Sequence, residues 1–91
     1  DSALFQDSGV AASFLNLAVS SGVAIPDELS VVSYDYYPQA DLLKVGLTTI
    51  EQPLTNLADR AIQMILNRVQ RPSSPWAHEV LPHNIAPRDS G

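Results

Sequence analysis

Residues 29–34, LSVVSY, place apolar side chains one after another with almost no alternation. A strand wetted on one face alternates apolar with polar. A nearly continuous apolar run of this length is what a parallel strand carries when both its faces are covered. That requirement constrains the chain more than any other, because the cover must come from helices nearby in the sequence.

The flanking sequence supplies two. Residues 9–21 read as a helix, with Asp7 or Ser8 placed to cap its first free N–H groups and Gly22 placed to end it in the left-handed conformation. Its apolar residues, from Val10 through Phe14 and Leu17 to Val19, wrap most of the circumference. Burial on more than one side is therefore expected, by the sheet and by a second layer or a second subunit. From Pro53 onward, Leu54, Leu57, Ala58, Ala61, Ile62, Ile65, Leu66 and Val69 fall on one helical face, and Pro72 closes that helix.

Shorter elements complete the pattern. ALF (residues 3–5) and the β-branched LTTI (residues 47–50) read as strands. Residues 37–46 read as irregular with a helical turn. WAHEVLP (residues 76–82) alternates enough to be a strand. HNIAPRDSG is a further candidate, which Pro87 confines to an edge or an end. Strands alternating with helices predict an α/β fold with a largely parallel sheet, whose ligands sit at the carboxyl ends of the strands. Asp7 and Asp35 each directly follow a predicted strand there.

Composition removes several alternatives. The net charge is −5, and the 5 Lys and Arg residues are scattered, so the chain has no basic patch to displace counterions from phosphates. It has no cysteine, which excludes a disulfide-stapled fold and permits a reducing compartment. No run approaches the roughly 20 apolar residues of a membrane span, and the amino terminus lacks the basic start of a signal peptide. Charged residues make up 16%, against about a quarter in a typical soluble domain. Together with an initial Asp rather than Met, that low share implies a fragment or processed chain whose surface is partly buried against other parts or partners.

Four segments resemble bacterial transcription regulators of the LacI/GalR type. DELSVVSYD is similar to the family's P-D-D-[IL]-S-V-V-G-F-D, GLTTIEQP to its P-x-L-T-T-[IV]-x-Q-P, and LPHNIAPRDSG to its closing L-P-x-x-L-[IV]-x-R-x-S. ALFQD falls where the family has A-[IV]-x-x-x-N-D. The matches occur in the family's order and cover nearly the whole chain.

The resemblance implies a three-layer, parallel-sheet fold of the periplasmic-binding-protein-like type, only partly represented in this chain. It implies residues 1–33 and 72–91 in the C-terminal lobe of an effector domain, with residues 34–71 crossing to the N-terminal lobe. It implies a repressor-type function: sensing a small-molecule effector, most often a sugar, as a cytoplasmic homodimer that meets DNA only through a headpiece absent from these residues. An extracytoplasmic sugar-binding protein shares the fold and is the alternative. The wording of LTTIEQP and PRDSG favours the regulator over it, and an enzyme on the same α/β fold is a third class.

By the same resemblance, Asp7 takes the place of the family's effector-binding Asp, and Asp35 matches the first Asp of G-F-D-D. A carboxylate offers two oxygens to vicinal hydroxyls through charge-assisted hydrogen bonds. Against this, Asp7 also serves as a helix cap and Asp35 as a hinge residue. Gln6 stands for the family's Asn, Ser33 for its Gly and Tyr36 for its second Asp. Ala11, Phe14 and Leu15 lie on the helix that the family uses for dimerisation, although packing within the lobe competes for the same side chains. HEVLPH (residues 78–83) lacks the helical i, i+4 spacing of a zinc motif, and no G-x-S-x-G elbow is present. Neither a metal, a cofactor nor a catalytic residue is expected.

Overall fold

The computed structural model describes residues 1–91 in the order β1 (Ser2–Phe5), α1 (Ser8–Ser20), β2 (Ser30–Tyr34), a 3-10 turn (Ala40–Leu42), β3 (Thr48–Glu51), α2 (Leu54–Gln70) and β4 (Asn84–Ala86). The four strands form one sheet in the order β1-β2-β3-β4. β1 and β3 run parallel to β2, and β4 is antiparallel to β3. This is the expected α/β fold with a mainly parallel sheet.

The chain divides into two compact units, Asp1–Gln52 with Asn84–Gly91, and Pro53–His83. The sequence reading sends the chain away from the first sheet after residue 33. Instead β3 pairs with β2 from Val32–Thr48 to Tyr34–Ile50, so the chain leaves the sheet only after Gln52. The reason is local: Thr48, Thr49 and Ile50 are β-branched and pair well beside the β2 run.

In the first unit α1 covers one sheet face. Ala11 and Leu15 from the helix, Val31 from β2, and Ala40 and Leu47 form the buried core, with Phe5, Leu29 and Val45 packed around it. Phe5 also meets Phe14, ring centroids 5.0 Å apart. Side chains alternate between faces, and on the other face Leu4 and Ile85 are exposed. The two-sided cover expected for LSVVSY is thus realised on one side.

Both ends of α1 follow the sequence. Asp7 Oδ1 accepts from the Val10 N–H at 2.9 Å. Gly22, at φ 90, lets the Gly22 N–H reach Val19 O and the Val23 N–H reach Ala18 O, so two of the last free carbonyls are satisfied.

The closing residues, 88–90, stitch the amino ends of β2 and β3 together. Ser90 is fully buried; its Oγ accepts from the Thr48 N–H at 2.8 Å and donates to Val31 O at 2.6 Å. Its backbone carbonyl accepts from the Val31 N–H at 2.7 Å. The Arg88 guanidinium donates to Asp41 Oδ1 (2.6 Å), Leu47 O and Thr49 Oγ1 (2.9 Å each). The R-x-S pattern of the closing motif is therefore a main-chain fastener.

The second unit is α2 with the segment that follows it. Every residue of α2 keeps some exposure, and Ile62, Ile65 and Val69 are exposed. Arg68 donates to Pro72 O, Ser74 O and Pro75 O and lies 4.7 Å from the Trp76 ring centroid, which turns the RPSSP segment back along the helix. Arg60 donates to both carboxylate oxygens of Glu79. This hydrogen-bonded pair holds the Glu79 carboxyl below its ordinary range and raises the Arg60 guanidinium. Residues 76–82, expected as a strand, have no regular structure. Alternation alone does not make a strand without an edge to pair with, and side chains fasten this segment instead. The edge of β3 is taken by Asn84–Ala86, directly before Pro87, as that proline requires.

Candidate functional site

The carboxyl ends of β1, β2 and β3 lie side by side, because the register aligns Phe5 with Ser33 and Tyr34 with Ile50. The residues that follow, Gln6 and Asp7, Asp35, and Gln52, are therefore neighbours despite their separation in sequence. Ser33 is buried, and its one hydroxyl hydrogen is shared between Phe5 O at 3.3 Å and Tyr34 O at 3.1 Å. Its hydroxyl ties the two strand ends under the site. A Gly at this position would supply no such tie.

An open concavity of about 450 Å³ lies at this end, lined by Leu4, Gln6, Tyr34 and Asp35. Asp35 has the left-handed φ of 72, a conformation that Asp and Asn tolerate better than most residues. Its N–H donates to Ile50 O at 2.8 Å, and its Oδ1 accepts from Gln52 Nε2 at 2.6 Å. Gln6, seen in the sequence only as a departure from Asn, lines the concavity. Its position immediately after β1 was the available signal. Asp7 stands one residue further on, exposed, with Oδ1 engaged in the helix cap. Tyr34 contributes a half-exposed ring to the wall, while Tyr37 packs against the core.

The expected subunit contacts divide. Ala11 and Leu15 are buried inside this chain's own core, and their surface is spent there. Phe14 keeps 36% of its surface, and it shares one helical stripe with the exposed Val10 and Leu17. No helix is long and apolar enough to cross a membrane. His78 and His83 lie outside any helix, so they share no helix face.

A parallel-dominated sheet, a helix on one face and a carboxylate-bearing concavity at the strand ends define an α/β ligand-binding architecture. The chain belongs to the periplasmic binding protein-like domain family, which matches residues 2–91. It is 31% identical over 72 residues to the ribose operon repressor of Halalkalibacterium halodurans, covering 78% of this chain and 22% of that protein. It is 37% identical over 68 residues to the HTH-type transcriptional repressor PurR of Escherichia fergusonii, covering 74% of this chain and 20% of that protein. The structure of a LacI family transcriptional regulator from Enterococcus faecium with bound ribose superposes with a TM-score of 0.82 at 27% identity, covering 98% of this chain and 33% of that one. The resemblance of the four motifs to LacI-type regulators is borne out. The chain spans less than a quarter of the curated relatives it matches.

Proposed function

We propose that the chain is the effector-sensing part of a LacI-type repressor and that its effector is a polyhydroxylated small molecule of the sugar class. The observation that carries this is the Asp35 carboxylate, presented by a left-handed backbone on a concavity at the strand ends. Gln6 and Asp35 together offer an amide and a carboxylate, which suit adjacent hydroxyl groups. Asp7 adds its second carboxylate oxygen beside the one committed to the cap. A ribose-bound relative supports the sugar class.

The first compact unit would belong to one lobe and Pro53–His83 to the other, with the crossing at Gln52–Pro53. The stripe of Val10, Phe14 and Leu17 would form the dimer contact. Effector binding would then change lobe closure and DNA affinity in the cytoplasm, a coupling between two sites through a two-state element.

Calorimetric titration of the native protein with ribose, glucose and sucrose tests this reading. Asp35→Asn keeps the left-handed backbone and should weaken the best ligand at least about tenfold. Asp7→Asn keeps the cap, so any loss there reports ligand contact alone. Unchanged affinity for Asp35→Asn would remove Asp35 from the site.

A further inference from the structure

We infer that Gln52 is a positioning residue, which orients the Asp35 carboxylate toward the effector without touching the effector itself. The inference rests on the reading of the concavity given above. β2 ends at Tyr34 and β3 at Glu51, and the register pairs Tyr34 with Ile50. Asp35 and Gln52 therefore each follow a strand end, on neighbouring strands. Gln52 Nε2 donates to Asp35 Oδ1 at 2.6 Å, while Gln52 is not among the residues lining the concavity.

The backbone alone does not aim this carboxylate. The bond from the Asp35 N–H to Ile50 O fixes the turn, and so fixes where Cβ stands. Asp35 is exposed, however, and an exposed Asp rotates freely about its two side-chain torsions. A hydrogen bond to one oxygen removes that freedom before the ligand arrives, so the ordering cost is not charged against binding. The chemistry of the donor matters as much as its position. A guanidinium or ammonium at residue 52 would neutralise the carboxylate and compete with a ligand for it. A carboxamide orients Oδ1 and leaves the negative charge, with Oδ2, available to hydroxyl donors. Gln52 is also the last residue of the first segment of its compact unit, so the amide that holds Asp35 sits where the chain leaves the sheet.

The test is a double-mutant cycle in the native protein, titrated calorimetrically with ribose, glucose and sucrose. Gln52→Met keeps the length of the side chain and removes the donor. It should weaken the best of the three sugars by about fivefold. The same change in an Asp35→Gly background, which keeps the left-handed backbone and removes the acceptor, should cost less than about twofold, because Gln52 acts only through the side chain at residue 35. Gln52→Glu should bind more weakly than Gln52→Met, since a second carboxylate repels the first. Thermal unfolding midpoints of the single variants should match the parent, which a merely structural role would not allow.

Equal losses in both backgrounds, or no loss in the parent, would overturn the positioning role while leaving Asp35 as a ligand residue. An Asp35→Asn variant that binds like the parent would instead remove the site, and this inference with it. Failure of all three sugars to bind the parent would remove both together with the sugar reading.

Discussion

The Ser90 hydroxyl joins two main-chain groups through one small side chain. It accepts from the Thr48 N–H and donates to Val31 O in a site with 0% exposure. Ser90→Ala removes both hydrogen bonds at once in a site closed to solvent. A buried group left without its partner costs about 1–3 kcal/mol. Two such groups, with some relaxation, set the expected loss at about 2–4 kcal/mol. Native-state hydrogen exchange at the Thr48 amide reads this directly. Exchange there should speed up by roughly 30- to 1000-fold, the factor that corresponds to that energy. The Val31 amide donates to the Ser90 backbone carbonyl, which alanine retains, so its protection should fall less than that of Thr48. A Thr48 amide that exchanges within about threefold of the parent would refute the assignment of Ser90 as the fastener.

Other expectations are more local. Gly22→Ala should destabilise by about 1–2 kcal/mol in a denaturant titration, because φ is 90 although nothing crowds the added Cβ; Gly22→Asn should cost less. In the dimer proposed above, changing Leu17, 69% exposed on the Val10–Phe14–Leu17 stripe, to Glu should yield monomer in sedimentation experiments, whereas an unchanged association state would move the contact elsewhere. The Glu79 carboxyl is held low by Arg60. The contribution of this pair is therefore present above the ordinary carboxylate pKa and is lost as pH falls through the depressed value. Carbon NMR titration should place the Glu79 midpoint below the ordinary range in the parent and return it there in Arg60→Gln.

What the sequence disclosed and what it withheld separate along a physical line. Features decided within a few residues were legible: the Asp7 cap, the Gly22 stop, the α2 stripe, and the edge position enforced by Pro87. Each depends on one turn of backbone or one period of side chains. Features decided by register were not. Asp35 and Gln52 meet because two strands align Tyr34 with Ile50, and a shift of one residue would part them and turn every side chain of β3 to the other face. The same alignment carries β3 into the first unit, where a reading of residues 34–71 as one excursion could not put it. It also packs Ala11 and Leu15 against Val31 and Leu47, a burial that the helix's own sequence did not disclose. The closing R-D-S makes the point in reverse. Its residue types were recognisable as a motif, but their work is done against Val31, Leu47 and Thr48, between 41 and 59 residues away. The pattern of a β-strand told where a chain could pair. Only the partner decided which carboxylate faced the concavity, and which amide stood beside it to hold it there.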